Sequence, residues 1–169
     1  MTIIHLDMDG VLADFAGYWL KVSGRSFEDY ATRGEFWREA IKFPNLYQDL
    51  KPMKDARHLT DGIREIIKGK DIAVEILTAI PLLETFPLAA EHKATWVKKH
   101  FSRKWKFKTG PHAVDKQNHA KPGDILIDDQ LRNIDQWNAA GGIGIHHTSA
   151  VKTLKELKTI VRDANRYAG

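Results

Sequence analysis

Asp7 and Asp9 lie two residues apart, directly after the apolar run Ile3-Ile4-His5-Leu6, and lead into Gly10. A second acidic pair, Asp128-Asp129, follows another apolar run, Ile125-Leu126-Ile127. Apolar runs of this kind read as buried strands, and open α/β sheets place their chemistry where such strands end. Two acidic strand ends therefore predict one site holding up to four carboxylates. At an effective dielectric of ~20, each like-charge contact at ~4 Å costs roughly 4 kcal/mol. Such a cluster takes up protons or holds a cation. Hard oxygen donors favour Mg²⁺, which keeps several waters and binds substrate phosphate.

Residue types nearby extend this chemistry. Phosphate-ester hydrolysis needs a nucleophile, an acid for the leaving alcohol, and positive charge on the phosphoryl oxygens. Asp7 and Asp9 supply the first two kinds of group. Thr78, after the apolar run Ile72–Leu77, and a lysine, Lys93 or Lys116, are candidates for the third. Asp14 reads as a solvated acid in a first helical turn.

The elements that position these groups follow from apolar periodicity. Strands are expected at Thr2–Leu6, Ile72–Leu77, Trp105–Lys108, Ile125–Ile127 and Ile143–His146. Helices are expected at Leu12–Val22, Asp55–Lys68, Glu84–His100, Gln130–Ala140 and Lys152–Tyr167, the last with Leu154, Leu157, Ile160, Val161 and Ala164 as its buried stripe. Residues 26–52 are rich in aromatics without strand alternation and read as short helices and loops. Strands alternating with helices define an α/β protein with a Rossmann-like parallel sheet. Residues 14–70 are too long for a plain crossover. They read as a small helical cap inserted after the first strand, and residues 1–13 and 71–169 form the catalytic core.

Composition narrows the alternatives. The chain has 169 residues, 43% hydrophobic and 28% charged, with a net charge of +4 and no cysteine. Disulfides, thiolate catalysis and Cys-based zinc sites are excluded. The amino terminus runs straight into a strand, so no signal peptide is expected and a cytoplasmic location follows. The longest apolar stretch, Ile80–Ala90, is broken by Pro81, Glu84 and Pro87, so no membrane span is expected. The run Lys98–Lys108 interleaves basic and aromatic residues. A nucleic-acid track is one reading, and a charged helix end followed by a strand is the cheaper one. The adjacent His146 and His147 lack zinc-ligand spacing and read as loop polarity. The sequence is compatible with a homo-oligomer.

The four features occur in the order of the motifs of the haloacid dehalogenase superfamily, which this chain resembles. The segments Asp7–Phe15, Leu50-Lys51-Pro52, Ile76–Ala79, Lys93–Val97 and Gly123–Asp129 are similar to the 5′(3′)-deoxyribonucleotidases. The resemblance implies a Mg²⁺-dependent phosphomonoesterase acting on a small nucleotide, with Asp7 attacking phosphorus and becoming an aspartyl-phosphate. Asp9 is then the acid and base, and Mg²⁺ lies among Asp7, the Asp9 carbonyl and Asp128. Thr78 and Lys93 hold phosphate oxygens, with Lys116 at a second basic position. Phe15, Trp37 and Tyr47 fall where that family builds a base pocket, and a plain aromatic cap core is the competing reading. Gln130 and Val114 stand where the resembling enzymes carry basic residues. Two rival functions remain: a phosphatase for another small phosphate or a polynucleotide end, and a non-catalytic binding module on the same fold.

Overall fold

The computed structural model of the protein describes residues 1–82, 84–110 and 113–167, with side chains for all of these except 113–115 and 164–167. Val114 and Ala164, named above for their side chains, therefore lie outside the described residues in that respect.

Among the described residues, five parallel strands form one sheet in the order β3-β2-β1-β4-β5. These are β1 (Thr2–Leu6), β2 (Ile72–Ala79), β3 (Lys106–Gly110), β4 (Ile125–Asp128) and β5 (Ile143–His146). The six α-helices described are α1 (Phe15–Ser23), α2 (Arg33–Ala40), α3 (Ala56–Ile67), α4 (Ala89–His100), α5 (Leu131–Ala139) and α6 (Ala150–Tyr167). Short 3₁₀ segments occur at Phe27–Asp29 and Ala113–His119. The chain builds outward from β1 through β2 to β3, then returns to lay β4 on the other side of β1. The strand order thus reverses between β1 and β4, the crevice where open α/β sheets bind ligands.

Alternation along the strands divides the core. Ile4, Leu6, Ile125, Ile127 and Ile145 join the large cluster that includes Leu157 and Val161 of α6. Leu77 and Leu126 face the other way, onto Ile134 and Trp137 of α5. His5 lies on that second face, its ring 5.0 Å from the Trp137 ring in an edge arrangement. Helix α3, the last element of the segment expected as the cap, packs along α6. Gly62 permits the close approach, because a Cβ there would collide with the Leu154 side chain.

Two helices start three or more residues later than periodicity predicts. The first begins at Phe15 rather than Leu12. Gly10, at φ +80°, turns the chain so that Leu12 and Ala13 both donate to the Met8 carbonyl, and Asp14 then caps α1 by accepting from Gly17 N at 2.9 Å. The expected 84–100 helix begins at Ala89, past Pro87. Strand β2 runs two residues further than expected, so Thr78 lies within the strand, opposite Thr109, rather than after it.

The segment between α1 and Pro52 is a small aromatic layer. Trp19 is fully buried and meets Phe36 and Phe43 edge-on, at 4.9 and 5.5 Å. Such pairs each contribute about 0.5–1.5 kcal/mol beyond area burial. Both stems of this segment are tied together: Asp14 N donates to Lys51 O at 2.8 Å and Met53 N to Leu12 O at 2.9 Å. Trp96 of α4 anchors the returning stem by donating to Leu50 O at 2.8 Å.

Candidate active site

The acidic pairs meet at the β1–β4 switch. Asp7 continues the β1 ladder, donating its N–H to Ile127 O at 3.0 Å, so its side chain emerges beside Asp128 at the end of β4. Asp7, Asp128 and Asp129 each bring an oxygen within 4.8 Å of the others. Lys116, only 4% exposed, projects from the 3₁₀ segment between β3 and β4. Its Nζ lies 2.9 Å from Asp7 Oδ1 and 2.6 Å from Asp128 Oδ2.

One ammonium does not neutralise three carboxylates, and the protonation equilibria show it. Burial works to lower the Lys116 pKa, but Asp7 and Asp128 outweigh it and hold the ammonium above its ordinary value. Burial, reinforced by Asp7, pushes the Asp128 carboxyl up. Asp129 is pushed up to about 7, first by burial and then by the neighbouring Asp7 and Asp128 charges. Its Oδ1 is buried and finds no partner among the described residues. Three hard oxygen donors, excess negative charge and an unpartnered buried oxygen fit a divalent cation.

Asp9 faces a different partner. Its Oδ2 accepts from Lys93 Nζ at 2.6 Å, while its Oδ1 is buried without a partner. Burial pushes the Asp9 carboxyl up, and Lys93 pulls it part of the way back. Lys93, 1% exposed, also donates to Thr78 Oγ1 at 3.0 Å and to Ala79 O at 2.7 Å. Its ammonium sits 4.8 Å from the Tyr47 ring centre. All three ammonium protons are therefore used within the protein. The two lysines left open by the sequence take separate places: Lys116 on Asp7 and Asp128, and Lys93 on Asp9 and Thr78.

Helix α5 supplies a residue that sequence reading passed over. Asn133 Nδ2 donates to both Asp128 oxygens, at 3.0 and 2.9 Å, and Gln130 N donates to Asp128 Oδ1 at 2.9 Å. The signal was present, since residue 133 is on the inward face of the helix that directly follows the acidic pair. The two histidines expected as loop polarity are placed more specifically. His146 Nε2 lies 2.9 Å from Asp129 O, and the buried His147 Nδ1 lies 2.9 Å from Thr153 Oγ1.

Above the carboxylates opens a cleft of 780 Å³. Asp9, Lys93 and Asp129 are on its wall, together with Phe15, Trp37 and Tyr47. The three aromatics are not equivalent. Phe15 stacks on Phe27 at 5.5 Å and on Tyr47 at 5.8 Å. Tyr47 is buried, and burial holds its hydroxyl well above its ordinary pKa, Asp9 adding to the effect. Trp37 is half-buried and meets Phe36 edge-on at 4.7 Å.

The basic aromatic run is built differently. The Trp105 ring lies parallel to the Phe101 ring at 6.4 Å, and the Arg64 guanidinium sits 5.4 Å from its centre. Among the described residues, no helix is long and apolar enough to cross a membrane.

The sequence model for the family described as "5' nucleotidase, deoxy (Pyrimidine), cytosolic type C protein" matches residues 1–161. A search of curated proteins found no match. Among solved structures, the fold is similar to a HAD-superfamily hydrolase, subfamily IA, variant 1, from Geobacter sulfurreducens, at 12% identity and a TM-score of 0.56, covering 95% of this chain and 96% of that one. It is also similar to D,D-heptose 1,7-bisphosphate phosphatase from Burkholderia thailandensis, at 9% identity and a TM-score of 0.50, covering 93% and 98%. A Rossmann-like α/β sheet carrying acidic strand ends at its switch point is here the core of a haloacid dehalogenase-type phosphatase, a phosphoric monoester hydrolase. Within that class the chain belongs to the deoxy, cytosolic type C, 5' nucleotidase family.

Proposed function

We propose that this protein is a Mg²⁺-dependent phosphomonoesterase that removes phosphate from deoxyribonucleoside 5′(3′)-monophosphates through an aspartyl-phosphate on Asp7. The observation that carries this reading is the position of Asp7. It stands at the switch point beside the second acidic pair, joined to Asp128 through Lys116, with Asp9 two residues on.

The donor set supports Mg²⁺ on Asp7 and Asp128, with Asp129 beside them. The Asp9 contribution expected from the resemblance is its backbone carbonyl, since its carboxylate is engaged by Lys93. Bound there, the ion offsets the repulsion between the Asp7 carboxylate and the phosphate dianion.

The residues of the chain perform the rest. Asp7 attacks phosphorus and forms the new P–O bond as the bond to the leaving alcohol breaks. Asp9 gives the departing oxygen its proton, then takes one from the water that hydrolyses the Asp7 ester. Lys116 and the Thr78 hydroxyl stand beside the phosphoryl group, where positive and donor groups stabilise its charge. Phe15, Trp37 and Tyr47 form the wall against which the nucleoside lies.

The cap, residues 14–70, is proposed as the unit that recognises the leaving group, with its last helix α3 seated on core helix α6. The size of the cleft suits a mononucleotide. Trp105 is engaged by Phe101 and Arg64 within the protein, which favours the small-substrate reading over a polynucleotide track. The cytosolic type named in the family's description supports a cytoplasmic location.

The test is a phosphate-release screen of nucleotides and sugar phosphates with and without Mg²⁺, run beside Asp7→Asn. Deoxyribonucleoside monophosphates should be hydrolysed fastest, and activity should vanish in EDTA. Asp7→Asn, nearly isosteric but unable to attack, should lose at least about 1,000-fold, some 4 kcal/mol of barrier. More than about a tenth of the wild-type rate left in that variant would remove Asp7 from the role.

A further inference from the structure

We infer that Lys93 is a positioning residue for Asp9, fixing the orientation of the carboxyl group that exchanges the proton, rather than a ligand of the substrate phosphate. The inference deepens the phosphatase reading above and rests on it.

The geometry is a count of donors and acceptors. A lysine ammonium has three protons. Those of Lys93 go to Asp9 Oδ2, Thr78 Oγ1 and Ala79 O, at 2.6, 3.0 and 2.7 Å. None remains for a phosphate oxygen unless one of these bonds is broken. The ammonium is also 1% exposed and held against the Tyr47 ring face, so it is not a mobile surface cation. Breaking the Ala79 bond would strand a buried carbonyl, and breaking the Asp9 bond would strand a carboxylate oxygen.

The same contacts leave the two Asp9 oxygens unlike each other. Oδ2 is tied down by Lys93, whereas Oδ1 is buried with no partner among the described residues. Asp9 and Lys93 both line the cleft. The Asp9 side chain is nonetheless 31% exposed, so Lys93 anchors a carboxyl group that still reaches the cleft. In the first half-reaction the Asp9 proton passes to the alkoxide oxygen as its bond to phosphorus breaks and the Asp7–phosphorus bond forms. In the second, the Asp9 carboxylate takes a proton from the attacking water while the Asp7–phosphorus bond breaks and phosphate departs. Lys93 keeps its own protons throughout. An unanchored Asp9 would rotate about χ1 and χ2 and spend part of its time with neither oxygen directed at the leaving group, and small misplacements of a catalytic group are costly.

The prediction that separates this role from phosphate binding is a dependence on the leaving group. An alkoxide needs a proton to depart and a nitrophenolate does not. Wild type, Lys93→Met and Asp9→Asn are compared by kcat/KM, which reports the steps up to departure of the leaving group. The substrates are a deoxyribonucleoside monophosphate and p-nitrophenyl phosphate. Lys93→Met should lose roughly 100-fold or more on the nucleotide and about tenfold or less on the aryl ester, the pattern of a missing general acid. Its inhibition constant for inorganic phosphate should stay within about threefold of wild type, because no uniform phosphate contact is removed. The double variant should be no slower than Asp9→Asn. If Lys93→Met fails to fold, Lys93→Gln, which is shorter and uncharged, is measured instead and should show the same order of losses, larger on the nucleotide than on the aryl ester, with the phosphate constant kept. Equal losses on both substrates with a weakened phosphate constant would overturn the inference and return Lys93 to the phosphate. No loss on either would overturn it too. A wild-type protein inactive on every phosphate ester, or an Asp9→Asn variant as fast as wild type, would instead bring down the phosphatase reading itself.

Discussion

Lys116 joins Asp7 to Asp128, with its Nζ 2.9 Å from one carboxylate and 2.6 Å from the other. The link crosses the point where the sheet reverses its strand order, so one buried side chain holds the two acidic strand ends together. Lys116→Met removes the cation and leaves Asp7, Asp128 and Asp129 uncompensated. Breaking a buried pair by removing one partner costs about 3–5 kcal/mol, so urea unfolding in EDTA should show a loss of that order. Added Mg²⁺ should recover part of it. On p-nitrophenyl phosphate, where proton donation matters least, Lys116→Met should be slower than Lys93→Met. The opposite order would place Lys93, not Lys116, beside the phosphoryl group.

Gly10 and Asp129 form a second close relationship. Gly10 adopts φ +80°, and a Cβ there would run into the Asp129 carboxylate. Gly10→Ala therefore carries two costs. The left-handed conformation alone is worth roughly 1–2 kcal/mol. The Asp129 side chain must also move, which disturbs the acidic group. Calorimetry should show a lower Tm, and a Mg²⁺ titration of activity should show a raised half-saturation concentration. An unchanged metal requirement would mean that Asp129 stands apart from the ion.

What the sequence revealed and what it concealed divide along physical lines. A buried parallel strand is a short run apolar on both faces, so Ile3–Leu6 and Ile125–Ile127 were visible, and with them the aspartates at their ends. The meeting of Asp7 with Asp128 follows from topology, because β1 and β4 are neighbours. Lys93 and Lys116 could not be told apart, because their places depend on how α4 and the 3₁₀ segment 113–119 return over the sheet. Asn133 was overlooked because a helical amide becomes meaningful only once its acceptor is located. The start of α1 was misjudged because a glycine in the left-handed region ended the apparent periodicity at Gly10–Asp14. The base-pocket aromatics were read as three equals, yet only packing shows that Phe15 is stacked on Phe27 and Tyr47 while Trp37 stands at the wall of the cleft.

The acidic group predicts how metal and pH interact. Asp129 rises from its ordinary 3.8 to about 7 through burial and its charged neighbours. A carboxyl with a raised folded-state pKa binds protons more tightly in the native state than in the unfolded one. Its effect on stability is thus least unfavourable at low pH and worsens as pH climbs through that window. On this account the metal-free protein should lose Tm as pH rises from about 4 to about 7, so it should be less stable at about pH 8 than at about pH 5.5. Mg²⁺ competes with the proton for the same oxygens, so its stabilisation should be larger at the higher pH. At about 100 times Kd it should add about 2.7 kcal/mol. For a domain of this size that is a Tm shift of roughly 5–10 °C. Thermal scans with EDTA and with Mg²⁺ at both pH values check this, and an equal shift at both would mean that no proton leaves the site when metal enters.

The substrate is tested most directly at Trp37. The motifs on the sheet see phosphate and metal, so selectivity for the remainder of the molecule must come from the cap side of the cleft. Phe15 and Tyr47 are stacked on each other and Tyr47 is buried, which commits them to holding the wall together. Trp37 is half-buried, lines the cleft and meets Phe36 at its edge rather than through a stacked face. Base stacking on such a ring is worth roughly 1–3 kcal/mol. Trp37→Ala should therefore raise KM for a deoxyribonucleoside monophosphate by about 5- to 150-fold, while hydrolysis of p-nitrophenyl phosphate changes by much less. Phe15→Ala should lower Tm and damage both reactions together, because it removes a stacked partner of Tyr47 and so loosens the face against which Lys93 rests. Equal losses on both substrates in Trp37→Ala would make Trp37 a structural element of the cap. A preference for a phosphorylated oligonucleotide over the mononucleotide would carry the substrate beyond the cleft to the basic surface around Lys98–Lys108.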